Sequence, residues 1–353
     1  MSDQDIITSS ERLLPSEDVP CPLCGSWRIM LLHDHMEWRL YTEKARVVQC
    51  VDCAFVYLSP RLQHNMDNFT FTQTYRDNHY LPCQEGFGLI RDGIVDDRYL
   101  AEFYQEQLEE VGRARKLNRI LDVGCAVGLF VRAAQNAGWE ASGSEVSEPL
   151  VKYGRTKLGL ELHCGDLQSA GYPDNWFDAV VLWDVVEHLL DPLAELAEIR
   201  RVLRPGGRLI LETPNVDSIT HELLGNQWDM FVTDHFVYFS ISTLTRALTQ
   251  TGFCIDKVAA FNFTNLIAEV LGQEAAKRAL ASLSDPENAH KFDTLRAVAV
   301  KPNHINSTWT TRFQTAWLVL QSDGPLALLC KTRRFLYWRY VWPRISASKT
   351  GSS

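Results

Sequence analysis

The sequence has no apolar run approaching the ~20 residues of a membrane-spanning helix, which counts against a helical membrane protein. Its opening stretch, MSDQDIITSSERLLPSEDVP, lacks the basic and apolar regions of a secretory signal, so a cytoplasmic location is expected. Excess positive charge is also missing. Lys and Arg number 35 against 44 Asp and Glu, giving a net charge of −9. That balance counts against a non-specific polyanion binder, and nucleic acid is not an expected partner of the body of the chain. There is no internal repeat and no low-complexity tract, which excludes solenoids and propellers.

What is present fits a folded enzyme-sized chain. Its 353 residues suffice for two domains or one domain with appendages, and 46% hydrophobic residues supply a core. Nine cysteines without an export signal suit a reducing compartment, where thiols pack or bind metal more often than they pair. Residues 1–20 read as disordered, 21–60 as short strands around two cysteine pairs, and 61–95 as a connector. DDRYLAEFYQEQLEEVGRARK has helical spacing, with Leu100, Phe103, Tyr104 and Leu108 on one face. Strand-like runs follow at 119–123, 141–146, 178–183 and 207–212, alternating with helical segments. That alternation predicts an α/β fold with a doubly wound parallel sheet. FCIDKVAAF and LRAVAVKP read as two more strands, with a helical insertion over 264–294 between them. A tail runs from 303 to 353.

The turn in ILDVGCAVGLF is the first candidate site. A dinucleotide fingerprint needs G-x-G-x-x-G, and Ala126 and Leu129 stand where the second and third glycines would be. NAD is disfavoured on those residues. Asp122, Gly124 and Gly128 remain, and the glycines allow a sharp strand-to-helix turn beside a ligand. The pattern resembles motif I of class I S-adenosylmethionine-dependent methyltransferases. Ala126 departs from the commonest glycine there; one added methyl group at ordinary φ and ψ is expected to be tolerated. Later segments extend the resemblance over 118–260: HCGDL, FDAVVLWDVVEHL and RVLRPGGRLILETPN.

The resemblance implies a Rossmann-like sheet of seven strands in the order 3-2-1-4-5-7-6, the last antiparallel. It implies S-adenosylmethionine as cofactor. Asp122, Gly124, Cys125 and Gly128 would belong to the turn at its methionine end. Glu145, which lies 21 residues beyond Gly124, would accept the ribose hydroxyls. Asp166 would meet the adenine amino group, Leu167 would pack beside the ring, and Trp183 would line the crevice.

CPLC at 21–24 and CVDC at 50–53 are separated by 25 residues. Each pair can present two thiolates to one ion, so Cys21, Cys24, Cys50 and Cys53 are expected to hold a structural zinc. A segment of ~40 residues with little core needs such a staple to fold. His33 and His35 are competing ligands for a site that four thiolates already saturate. This ribbon followed by a methyltransferase resembles a large group of bacterial enzymes acting on sugars, polysaccharide precursors or secondary metabolites.

Methyl transfer to an alcohol needs a base. His235, in TDHFVYFS, is favoured for that role, with His188, in DVVEHLLDP, as organiser. Packing alone is the competing reading of both, and of Trp228, Tyr238 and Phe239, which could otherwise stack on a substrate ring. Asp184, Glu187 and His188 could instead hold a divalent ion, as a similar run does in some quinone O-methyltransferases. Asp184 could equally end the fourth strand and cap a helix. In the tail, Lys331, Arg333, Arg334, Arg339, Arg344 and Lys349 interleave with aromatics. That suits contact with an anionic membrane surface or a nucleic acid, or a helix packed on the acidic body.

The primary reading is transfer of a methyl group to a hydroxyl of a sugar or secondary metabolite. An RNA base methyltransferase and a non-catalytic S-adenosylmethionine sensor are the alternatives.

Overall fold

A computed structural model describes residues 16–33, 46–62, 72–91, 93–232, 234–262 and 266–303. The expectations for the first fifteen residues, for His35 and for the tail after Asn303 lie outside the described residues.

A two-residue strand, Ser16–Glu17, lies inside the stretch read as disordered and pairs with Arg61–Leu62. Between them run strands β1 (Ile29–His33), β2 (Val47–Cys50) and β3 (Val56–Leu58). Each cysteine pair falls at a turn beside this small antiparallel sheet. The stretch read as a connector is structured where described. It carries helical turns over Gln73–Tyr75, Arg76–Tyr80 and Leu81–Gly86 and a two-strand ribbon, Ile90–Arg91 with Ile94–Val95. The single helix read after it is two: α1 (Asp97–Phe103) and α2 (Gln105–Gly112) break at Tyr104. Asp96 caps α1 by accepting the Arg98 and Tyr99 amides. Leu100 is buried, and Tyr104 and Leu108 pack on the core, but Phe103 is exposed and leaves the expected face.

The main sheet is built from β4 (Arg119–Val123), β5 (Glu140–Glu145), β6 (Leu162–Cys164), β7 (Phe177–Trp183) and β8 (Leu203–Pro214). Between them run α3 (Leu129–Asn136), α4 (Glu148–Leu158), α5 (Leu167–Ala170) and α6 (Pro192–Val202). After β8 come α7 (Ile219–Leu224), β9 (Val237–Tyr238), α8 (Ile241–Gln250) and β10 (Cys254–Phe261). Helices α9 (Leu266–Leu271) and α10 (Gln273–Leu283) precede β11 (Thr294–Val300). The strand order is β6-β5-β4-β7-β8-β11-β10, with β11 antiparallel to both neighbours. This is the seven-strand order that the sequence resemblance implies.

The strands form where the sequence supplies unbroken apolar runs. All of β7 up to Leu182 is buried, as a central strand covered on both faces must be. Asp178 is the one charged residue among them, and it is fully buried. Its Oδ2 accepts the amides of Lys116, Leu117 and Asn118, and Arg204 pairs with its other oxygen. Burial pushes this carboxyl up, but Arg204 and the three amides win and hold it below the usual range. The result ties the entry to β4 against β7. Because β4 to β7 are parallel, their carboxyl ends share one edge, where ligands bind in such sheets.

Strand β9 does not belong to the main sheet. It pairs antiparallel with β3, Val237 opposite Tyr57 and Tyr238 opposite Val56, and completes a four-stranded sheet in the order β9-β3-β2-β1.

Candidate active site

The turn after β4 takes three residues into the left-handed region: Gly124 at φ +71°, Ala126 at +49° and Gly128 at +88°. At Gly124 a Cβ would stand 2.5 Å from Val185 Cγ2, so a side chain is excluded twice over. Ala126 corrects the expectation of ordinary φ and ψ. Its conformation directs the Ala126 amide to Glu145 Oε2 at 3.0 Å. The Ser147 amide meets the other oxygen, Oε1, at 2.8 Å. Two backbone donors therefore fix the carboxylate that ends β5.

Asp122 is 3% exposed and its Oδ1 has no partner among the described residues. The same holds for the hydroxyls of Ser144 and Ser147. Burial pushes the Glu145 carboxyl above its usual range, and burial with the nearby Glu145 pushes Asp122 well above. Two buried acids and two unpaired hydroxyls on one edge form an electron-rich donor set. It fits a cationic, hydroxyl-bearing ligand such as S-adenosylmethionine. Cys125 is buried against Gly143, where a Cβ would lie 2.6 Å from the Cys125 sulfur. It is a wall of the turn.

Asp166 is exposed and caps α5, accepting the Ser169 amide at Oδ1 (2.7 Å). The Ser169 hydrogen bonds hold its carboxyl below the usual range. Leu167, next to it, is fully buried. Trp183 closes β7, packs edge-on to Phe130, and leaves its buried indole N–H without a partner among the described residues.

Beyond β7 a single 3-10 turn, Val186–His188, holds the first candidate base. His188 Nδ1 donates to the Asp234 carbonyl at 2.8 Å, and His235 Nδ1 donates to the Met230 carbonyl at 2.9 Å. A carbonyl can only accept, so each ring carries a proton on Nδ1, and in the neutral ring the lone pair is on Nε2. The rings meet edge to face with centroids 4.6 Å apart. Their exposures differ. His235 is 9% exposed, and burial lowers its pKa well below that of a free imidazole. The His188 side chain is 36% exposed.

Glu187, His188 and His235 can each place a ligand atom within 4.8 Å of the others. Asp184 is not part of that cluster, which corrects the expected Asp184, Glu187 and His188 set. Nor does Asp184 cap a helix, since Val185 holds the cap position and makes no side-chain bond. The Glu187 carboxyl is buried, accepts the Thr213 hydroxyl at Oε2, and is pushed well above its usual range by burial and Asp184. Trp228, Tyr238 and Phe239 are all buried; Trp228 and Tyr238 pack in one cluster with Val47, Val56 and Leu58.

Two tyrosines, Tyr75 and Tyr80, escaped the sequence reading, and Tyr104 was read there only as part of a helix face. The Tyr75 hydroxyl is pushed up to about 12 by burial, with Asp234 and Glu145 adding to it. Tyr80 is raised by burial, Tyr104 and Glu145; Tyr104 is raised by burial and Asp122. All three border the acidic edge; Tyr75 and Tyr80 do so from a stretch that lacks strand or helix periodicity, where only their aromatic character marks them.

At the other end of β2, Cys21 and Cys53 sulfurs lie 3.5 Å apart, as do those of Cys24 and Cys50. All four ligand atoms fall within 4.8 Å of one another, and none is in a disulfide. Tetrahedral zinc with Zn–S bonds of ~2.3 Å sets its sulfurs about 3.8 Å apart, so the cluster fits such an ion. Burial pushes the Cys24 thiol up to about 11. A hydrogen bond from the Cys53 thiol to Cys21, and burial, raise Cys53. His33 is not among the four; it faces His221 at 3.3 Å between ring nitrogens.

Residues 96–258 match a family model described as a methyltransferase domain. An uncharacterized 37.1 kDa transposon protein of Streptomyces fradiae is 28% identical over 201 residues, covering 52% of this chain and 58% of its own. A ubiquinone biosynthesis O-methyltransferase of Cereibacter sphaeroides is 34% identical over 122 residues, covering 32% and 48%. The chain thus spans about half the length of these curated relatives. A solved structure from Archaeoglobus fulgidus, described as a SAM-dependent methyltransferase, aligns with TM-score 0.46 and 20% identity over 63% of this chain and all of that one. Residues 96–258 of this chain, carried on a seven-stranded sheet of the expected order, are thus similar to a methyltransferase domain.

Proposed function

We propose that the chain transfers a methyl group from S-adenosylmethionine to a hydroxyl of a small molecule, a sugar or secondary metabolite. One observation carries the reading: the carboxyl edge of the sheet sets a buried acidic pair, Asp122 and Glu145, beside an imidazole pair with open Nε2 atoms. His188 lies near enough to Glu145 to lower its pKa. The O-methyltransferase named among the relatives supports oxygen as the acceptor atom.

When bound, the cofactor supplies an electrophilic methyl group on a sulfonium. Asp122, Gly124, Cys125 and Gly128 form the turn at its methionine end. Glu145 takes the ribose hydroxyls, and Asp166 and Leu167 take the adenine. Trp183 closes the crevice between cofactor and acceptor. His188 receives the acceptor proton at Nε2 as the oxygen bonds to the methyl carbon, and the C–S electron pair leaves with sulfur. His235 stands behind His188, neutral and buried, and fixes its ring. The four cysteines hold one structural zinc ion. A divalent cation on Glu187, His188 and His235 is a second reading, favoured by their clustering. Stimulation of turnover by added Mg2+ or Mn2+ would support it.

Calorimetry with S-adenosylmethionine tests the cofactor, and transfer of labelled methyl to a panel of sugar nucleotides and phenols tests the reaction. His188→Ala should lower kcat by ~10²–10⁴-fold with cofactor affinity nearly unchanged. His235→Ala should have the smaller effect. No binding of the cofactor would end the proposal; binding without transfer to any acceptor would favour a sensor.

A further inference from the structure

The four-cysteine module and the acceptor side of the cleft are joined by backbone. Strand β3 begins three residues after Cys53, and β9, its partner, begins two residues after His235. The Leu58 amide donates to the Phe236 carbonyl at 3.0 Å. The Phe236 amide in turn donates to the Glu187 carbonyl at 2.8 Å. Phe236 thus stands between β3 and the peptide that leads into His188. A second tie runs from Arg61, whose Nη1 donates to the Leu190 carbonyl at 2.8 Å.

Side chains repeat the pattern. Phe55 packs on Phe239 with ring centroids 5.1 Å apart. The apolar cluster around β3 mixes Val47, Val56 and Leu58 with Val216, Trp228, Phe231 and Tyr238. Neither side completes this core alone. The Cys50 amide bonds the Phe55 carbonyl at 2.8 Å, so the second cysteine turn sets where β3 starts.

We infer that the four-cysteine module is a positioning device for the His188–His235 pair: a metal on Cys21, Cys24, Cys50 and Cys53 fixes β3, and β3 holds both histidines through β9 and Phe236. The inference rests on the methyltransferase reading and deepens it. Cofactor binding depends on the turn after β4 and the end of β5, which make no strand pairing with the module. Metal loss therefore loosens the acceptor side and spares the cofactor side.

The test uses the full chain, as purified with its metal content measured and after stripping with a chelator. Hydrogen exchange is followed over 230–240 and over 119–145, and S-adenosylhomocysteine binding is measured by calorimetry. Histidine-labelled protein, assigned with His188→Gln and His235→Gln, reports the ring resonances of the two histidines. Stripping should speed exchange over 230–240 at least tenfold and shift the His235 ring resonances. Exchange over 119–145 and ligand affinity should change less than threefold.

Unchanged exchange over 230–240 in protein shown to be metal-free, whether stripped or as purified, overturns the inference. If stripping unfolds the chain, Arg61→Gln in the loaded protein takes its place. It must speed exchange over 186–191, and no change there is equally fatal. A loaded chain that fails to bind S-adenosylhomocysteine defeats the methyltransferase reading instead and leaves the exchange result standing.

Discussion

Ala126 is the residue at which the turn works against its own side chain. A left-handed alanine costs about 1–2 kcal/mol, while the added freedom of glycine in the unfolded chain offsets ~0.4–1 kcal/mol. Ala126→Gly should therefore stabilise the protein by up to about 1 kcal/mol in urea denaturation and keep the bond to Glu145. The buried acids give a second residue-scale expectation. Asp122 and Glu145 hold protons above the usual carboxylate range, so the stability they lend is present at low pH and fades as pH rises through their raised values. A ligand carrying sulfonium charge favours their ionised forms. Binding of S-adenosylmethionine near pH 6 should then release protons, seen as a dependence of the binding heat on buffer ionisation enthalpy, and Glu145→Gln should reduce the release. Glu195, on α6, is pushed up to about 7 by burial, with Asp166 and Glu198 adding to it. Its contribution is complete below the ordinary carboxylate range and is lost as pH rises through 7. Glu195→Gln should raise Tm relative to wild type at pH 8 and not at pH 4.

Elements are held apart by what their smallest residues permit. On α4 a Cβ at Gly154 would stand 2.5 Å from the Val127 carbonyl oxygen. Backbone cannot swing aside as a side chain can, so Gly154→Ala should push α4 off the turn, cost ~1–3 kcal/mol and weaken cofactor binding. Asp178→Asn should cost ~3–5 kcal/mol, because Arg204 is then left without its counter-charge. Strands such as β4 and β7 were legible because apolar runs between turn residues have few other uses. Glu145 was legible at its strand end, 21 residues beyond Gly124, and Asp166 only through the resemblance of its G-D-L turn. The break at Tyr104 was not, since leucine spacing continues across it, and neither was β9. Two residues, Val237 and Tyr238, are too short for any period to show, and their partner lies about 180 residues earlier in the chain. The burial of His235 beside a half-exposed His188 was not legible either, because it depends on what that partner covers.

At the scale of the molecule, residues up to Asn303 form one compact unit. Ligands of that unit should shift one unfolding transition. Cofactor at 100 times its Kd should add about 2.7 kcal/mol, and chelation should lower the same Tm. Two separate transitions would show that the cysteine module melts independently of the sheet. The pairing of β9 with β3 also bears on how the chain can be dissected. The family match starts at residue 96, which invites expression of the catalytic part from there. Such a fragment would leave β9 as a bare strand edge and uncover Trp228, Phe231 and Phe239, all buried in the full chain. Exposed apolar edges recruit other strands. The fragment should be sticky and self-associating, and the usable boundary for a soluble enzyme lies before Cys21.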